Sequence, residues 1–188
     1  MLKLLRESVA SSPIIEKSGY HYMVNPVTDG VPRMRPELQS EIIDAIAAVG
    51  DFEGCDCLIA PESMGIPLAV PLGMKLGIPY VIVRKRAYGL PGEVSFEQRT
   101  GYSGSRMYIN GLERGERVVV VDDVVSTGGT MVSLIRALRD GCGCEIGDVI
   151  TVFEKGGGAA IVEEATGVRV KTLLPLKYVE GKGFEPSD

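Results

Sequence analysis

The chain has 188 residues, enough for one domain with a hydrophobic core of its own, and 45% of them are hydrophobic against 24% charged. That balance belongs to an ordinary water-soluble globular protein and excludes a disordered or fibrous chain. A net charge of −5 gives no electrostatic footprint for nucleic acid or an anionic membrane, and no apolar run is long enough to span a bilayer.

The opening residues, Met1 to Glu7, pattern as an amphipathic helix running to residue 10 rather than as a secretory leader, so a cytoplasmic protein is expected. Tyr20 to Val24 fit a short strand. Residues 25–36 carry three prolines and a glycine and read as turns, with Pro36 at the first turn of a helix. From Glu37 to Val49, the residues Leu38, Ile42, Ile43, Ile46 and Val49 keep helical spacing. Gly50 to Asp56 is a loop. Cys57 to Ala60 is a buried strand, residues 61–65 are the turn after it, and Ile66 to Leu76 is a helix stopped by Gly77. Tyr80 to Val83 is a strand ending in three cations, Arg84, Lys85 and Arg86. The stretch from Ala87 to Asn110 reads as a long irregular segment, with a strand only at Met107 to Ile109.

Glu113 to Glu116 form a turn, and four valines, Val118 to Val121, open the next strand. Met131 to Arg139 is an amphipathic helix, 141–147 a loop, and Val149 to Phe153 a strand. Ala159 to Ala165 is a short helix and Val168 to Leu176 a last strand. Strands alternate with helices from residue 37 onward. That pattern predicts an α/β fold, a Rossmann-like parallel sheet with helices on both faces and ligand loops at the strands' carboxyl ends. Residues 1–188 are expected to form one domain, with a core over about 37–167 and a small hood from 1–36 and 168–188.

The four cysteines form two Cys-x-Cys pairs, Cys55/Cys57 and Cys142/Cys144. That is not the usual zinc spacing, and His21, the only histidine, lies far off in sequence, so free thiols in a reducing compartment are expected. Spacing alone leaves a disulfide open.

The segment 118–130 organises the rest. An apolar strand delivers Asp122 and Asp123, and Ser126-Thr127-Gly128-Gly129-Thr130 then lead into a helix. Backbone N–H groups of such a loop converge on an anion, and glycines allow close approach. Paired carboxylates, by contrast, take hydroxyls or a divalent cation. A phosphate beside a polyol describes a sugar phosphate. A plain strand-to-helix turn has no reason to carry two acids and then four small residues. Neither a Gly-x-x-x-x-Gly-Lys-Ser/Thr loop nor a dinucleotide glycine motif after a strand occurs.

This arrangement resembles the phosphoribosyl-diphosphate signature of the type I phosphoribosyltransferases. The resemblance implies that Asp122 and Asp123 hold the ribose hydroxyls, with Mg2+ bridging them and the diphosphate, and that residues 126–130 grip the 5′-phosphate. It assigns the diphosphate to the backbone of Ser63, Met64 and Gly65 and to Arg84 and Lys85, and makes residues 86–106 a lid. Leu90-Pro91-Gly92-Glu93 resembles the lid opening of the adenine enzymes. Two departures stand out. Gly101 replaces the adenine enzymes' lid glutamate before Tyr102, and Ser126 replaces the aspartate that vertebrate and bacterial hypoxanthine-guanine enzymes carry before Thr-Gly. Glu93, Glu97 and Asp29 are then the alternatives for proton transfer.

For the base, Phe153 is a flat stacking surface and Lys155 a donor suited to an exocyclic oxygen. Val152-Phe153-Glu154-Lys155 is similar to the Ile-Glu-Lys segment of xanthine phosphoribosyltransferases, which favours a 6-oxopurine. Asn25, Val31 and Arg33 are further base-side candidates, and Gly30-Val31-Pro32-Arg33 is faintly like the hood of the adenine enzymes. The whole looks most like the archaeal-type hypoxanthine/guanine members. The resemblance therefore implies purine salvage from a free purine base and phosphoribosyl diphosphate, by a homodimer in which Arg84–Arg86 reach the neighbouring site. An adenine enzyme is the alternative. A non-enzymatic sensor of phosphoribosyl diphosphate is a second, although no helix-turn-helix segment or basic patch is present. Orotate or uracil enzymes fit less well.

Overall fold

In chain order, α1 (Lys3–Ala10) precedes an antiparallel pair, β1 (Ile14–Lys17) and β2 (Tyr20–Met23), then a single turn α2 (Pro26–Asp29) and α3 (Pro36–Val49). The computed structural model describes residues 2–17, 19–99 and 104–187. Next come β3 (Cys57–Pro61), α4 (Ile66–Leu76) and β4 (Tyr80–Val83), then an antiparallel hairpin, β5 (Val94–Arg99) with β6 (Gly104–Ile109). The central strand β7 (Arg117–Val125) leads into α5 (Gly129–Arg136), whose end widens to π-helical geometry over Ala137–Cys142. β8 (Glu145–Lys155), α6 (Gly158–Thr166), β9 (Val170–Val179) and β10 (Gly183–Pro186) complete the chain.

The main sheet has the order β10-β9-β8-β7-β3-β4, parallel throughout except for the antiparallel edge strand β10. The four valines alternate between its faces. Val119 and Val121 pack with Ile42, Ile46, Leu68 and Leu72 of α3 and α4, whereas Val118 and Val120 pack with Leu134 and Ile135 of α5. Two cores of this kind need a strand that is apolar on both sides, which is why the run is unbroken. No helix among the described residues is long and apolar enough to cross a membrane.

Three expectations are corrected. Residues 87–110 are not mainly irregular. Val94, Phe96, Met107 and Ile109 alternate with polar residues and turn one face of a hairpin toward the α5 side of the sheet. Residues 168–188 do not leave the core for a hood, because β9 and β10 extend the main sheet. The strand expected at 168–176 runs instead over Val170–Val179, and β10 follows it. The two chain ends do meet: α1 packs on β10, and His21 stacks on Tyr178 with ring centroids 4.2 Å apart. In the hood, Asn25 caps α2, a turn too short to announce itself by periodicity. Gly101 and Tyr102 lie outside the described residues. All four cysteines are free thiols. Burial raises Cys57 to about 12 and Cys142 to about 11, which makes both poor nucleophiles.

Candidate active site

The carboxyl ends of β3 and β7 open onto a cavity of about 310 Å3. Asp122, Asp123, Ser126, Thr127, Gly128 and Thr130 line one side and Pro61 to Ser63 the other, while Phe96 and Met107 of the hairpin close over it. Asp122 is only 9% exposed, and one of its oxygens accepts the N–H of Asp123 at 2.9 Å. Burial is the main cause that raises both carboxyls, Asp122 well above the usual carboxylate range and Asp123 to about 6. The charge of Lys155 pulls Asp123 partly back down. Two carboxylates that resist ionisation together want a cation or hydroxyl donors between them. Among the described residues no group of three or more His, Cys, Asp or Glu is arranged to hold a metal ion. The donor set therefore fits Mg2+ of the kind that arrives with substrate phosphates and keeps only one or two carboxylate ligands.

Gly128 adopts φ 75° as the residue before α5, which only glycine does without strain. A Cβ there would lie 2.8 Å from the carbonyl oxygen of Gly158. Reciprocally, a Cβ on Gly158 would run into the backbone of Ser126. The start of α6 is thus the wall behind the phosphate loop. Thr127 and Ser126 remain exposed on the open side, and the first N–H groups of α5 have no partners within the helix.

In the loop after β3 the Glu62–Ser63 peptide is cis, and Gly65 precedes α4. A Cβ on Gly65 would meet the carbonyl oxygens of Pro61 at 2.8 Å and Val121 at 2.9 Å, so the turn lies tight against β7. Ser63 faces the cavity, whereas Met64 points to the hood, its Cε 3.8 Å from where a Gly30 Cβ would stand. Glu62 accepts the N–H of Lys85 at 3.2 Å and holds the Arg84 guanidinium in an ion pair at 3.0 Å. Arg84 is therefore turned to Glu62, and the Lys85 side chain is left exposed at the end of β4.

The base-side expectations divide. Lys155, half-buried at the end of β8, stands beside the acids. Burial lowers its pKa, and the charges of Asp29 and Asp123 oppose that. Phe153 is corrected: its ring is 0% exposed and belongs to the core, so it offers no open face to a heterocycle. Arg33 is also corrected, since it lines a separate hollow against Glu7 and Ser8 of α1 rather than the cavity of the acids. Val31, 58% exposed, projects from the hood. The aromatic group next to Lys155 is instead Phe184 of β10, whose ring centroid is 4.7 Å from the Lys155 Nζ. Nothing local in the sequence marks Phe184, because its position depends on the edge strand pairing back onto β9. Glu62 and Gly158 were also unmarked; Glu62 is brought to Arg84 and Lys85 only by the pairing of β3 with β4.

A parallel sheet with paired acids, a glycine-bent anion loop and a covering hairpin defines a sugar-phosphate transferase site. Residues 37–183 match the phosphoribosyl transferase domain, and the chain belongs to that family. It is 50% identical over 179 residues to the hypoxanthine/guanine phosphoribosyltransferase of Methanocaldococcus jannaschii, covering 95% of this chain and 97% of that one. To the protein of the same name from Methanothermobacter thermautotrophicus it is 50% identical over 182 residues, covering 97% and 93%. Among solved structures, the adenine phosphoribosyltransferase from Rhodothermus marinus superposes with a TM-score of 0.73 at 26% identity, over 93% of this chain and 98% of that one. The enzyme of that name from Saccharomyces cerevisiae shares the fold, with a TM-score of 0.73 at 23% identity over 92% and 98%.

Proposed function

We propose that the protein transfers the 5-phosphoribosyl group of phosphoribosyl diphosphate to N9 of hypoxanthine or guanine. The products are the nucleoside monophosphate and pyrophosphate, and the process is purine salvage. The observation that carries this is the pair Asp122 and Asp123, buried at the mouth of the phosphate loop with Lys155 beside them. The C1′–oxygen bond to pyrophosphate breaks as the N9–C1′ bond forms, and the base gives up one proton to the leaving pyrophosphate or to water. Asp122 and Asp123 accept from the ribose hydroxyls and stabilise the positive charge that develops on the sugar. Residues 126–130 hold the 5′-phosphate, and Ser63, Met64, Gly65 and Lys85 take the diphosphate. Mg2+, held by Asp122 and Asp123 with the substrate, supplies charge neutralisation for the leaving pyrophosphate. Phe96 and Met107 keep water from the electrophilic sugar carbon. Lys155 donates to the 6-oxo group, and adenine offers no acceptor there, which is why the half-identical relatives outweigh the fold likeness to adenine enzymes.

The same reading places the enzyme in the cytoplasm, which its four free thiols support, and makes it a homodimer. Met74, 82% exposed, and Tyr80 on the edge strand β4 support a subunit contact, to be checked by sedimentation. The function is tested by pyrophosphate release with phosphoribosyl diphosphate, Mg2+ and each of hypoxanthine, guanine, xanthine and adenine. Turnover of hypoxanthine and guanine is expected, lost on changing Asp122→Asn together with Asp123→Ala. Full activity of that double variant, or turnover of adenine alone, refutes it.

A further inference from the structure

Three acids are the alternatives for the base side, and their surroundings separate them. Glu93 is consumed at the root of the hairpin, where it accepts the N–H groups of Tyr88 at 2.8 Å and Gly89 at 3.3 Å and the amide of Asn110 at 2.9 Å. Glu97 lines the open groove between the hairpin and α5 instead of the cavity that holds Asp122. Asp29 remains. It ends α2, which packs on β7, and a Cβ on the following Gly30 would stand 3.8 Å from Cε of Met64 in the diphosphate loop.

The Asp29 carboxylate is fixed on one side only. Its Oδ2 accepts the N–H of Asn25 at 3.0 Å and the hydroxyl of Thr28 at 2.6 Å. Its Oδ1 has no hydrogen-bond partner among the described residues. Asn25 is itself fully buried and immobile, since its amide donates to the hydroxyls of Ser8 at 3.2 Å and Ser12 at 2.9 Å on α1 and its carbonyl accepts from the N–H of Val27. One oxygen is held and the other is free, on an exposed residue whose charge bears on Lys155.

We propose that Asp29 is the specificity-determining residue for the N1–C2 edge of the base: its free oxygen accepts from N1–H and, in guanine, from the 2-amino group, while Lys155 donates to O6. This rests on the 6-oxopurine reading above. Donor at O6 and acceptor at N1 match the lactam edge of hypoxanthine and guanine. Adenine reverses both positions, and the 2-oxo group of xanthine sets oxygen against oxygen. Polar groups left mispaired in a closed site discriminate far more strongly than missing apolar contacts.

The substitution Asp29→Asn turns the pattern over. Asn25 N–H and the Thr28 hydroxyl still require an acceptor, so the amide oxygen takes the held position and the amide nitrogen the free one. At C2 the variant then offers a donor where guanine also donates and where xanthine accepts, while N1–H of all three bases loses its acceptor. Steady-state kcat/KM is measured on hypoxanthine, guanine and xanthine for the wild type, Asp29→Asn and Asp29→Ala, with thermal unfolding as the check on folding. The ratio of xanthine to guanine is expected to rise about a hundredfold in Asp29→Asn, with KM for phosphoribosyl diphosphate unchanged. Asp29→Ala should lose guanine without gaining xanthine. A folded Asp29→Asn that keeps the wild-type base ranking overturns the assignment and leaves the salvage reading intact. A wild type silent on all 6-oxopurines overturns the salvage reading itself.

Discussion

Changing Gly158→Ala tests whether α6 backs the phosphate loop. The added Cβ would stand 2.7 Å from the carbonyl carbon and 3.1 Å from the nitrogen of Ser126, with the carbonyl oxygen nearer still. All three are backbone atoms, so no side chain can rotate away. Restoring van der Waals distance requires a movement of about 1 Å, shared between the loop and the start of α6. Overpacking of this kind costs about 1–3 kcal/mol. Movement taken up by the loop displaces the N–H groups from the phosphate, and a misplacement of that size lowers kcat/KM by about a hundredfold. The neighbouring Gly157→Ala is the control. Gly157 has φ 76° with nothing within 4 Å of a Cβ, so its substitution carries about 1–2 kcal/mol of left-handed strain and no collision. Initial rates against phosphoribosyl diphosphate at saturating guanine, with thermal unfolding in parallel, separate the two. Gly158→Ala should raise KM for phosphoribosyl diphosphate steeply, and Gly157→Ala should lower stability alone. A folded Gly158→Ala with the wild-type KM refutes the reasoning.

Because burial raises Asp123 to about 6, the unliganded protein holds more protons than the unfolded chain between about pH 4 and 6. Its stability therefore falls as pH rises through that window, and Asp123→Asn, though inactive, should be more stable than wild type in urea at pH 8; a less stable variant would contradict this. Phe153→Ala removes a 0% exposed ring and should cost about 3–5 kcal/mol, whereas Phe184→Ala removes a half-buried ring that packs on the same core and against Tyr178, and should cost less while raising KM for the base. Equal effects on KM from both would return Phe153 to the base site. Glu93→Gln leaves a single carbonyl oxygen for three donors, so limited proteolysis should cut residues 86–93 faster than in wild type, and an unchanged rate would show that Glu93 does not brace the hairpin.

What the sequence disclosed was whatever is local. The strand, acids and glycine loop of residues 118–130 lie within thirteen positions, and α4 and β4 were bounded to the residue because Gly77 ends one and three cations end the other. The hairpin was missed although Val94, Phe96, Met107 and Ile109 alternate, because Gln98, Arg99 and Arg106 diluted the apolar signal. The outcome at Phe153 was illegible for another reason. Placing an aromatic residue at a strand's carboxyl end does not say which face it takes, and here it turns to the α3 side. Arg33 was misplaced because the fold sets it in a hollow with Glu7 and Ser8 of α1, and no spacing rule records a contact with so distant a helix.

The base side and the phosphate side of this site are therefore built on different principles. The phosphate side is one contiguous stretch with backbone donors, held by the two close contacts at Gly65 and Gly158. The base side proposed above draws on Asp29 and Lys155, from elements separated by most of the chain, with the Phe184 ring beside Lys155. Glu41 of α3 accepts the N–H groups of Leu4 at 3.1 Å and Leu5 at 2.8 Å, which satisfies the start of α1. Ser8 and Ser12 of the same helix then hold Asn25, and Asn25 holds Asp29. On the proposed role of Asp29, a change along that relay is expected to alter the base edge while the acids and the anion loop stay in place. Base preference is then separable from the sugar-phosphate chemistry, which sits on other elements of the same fold.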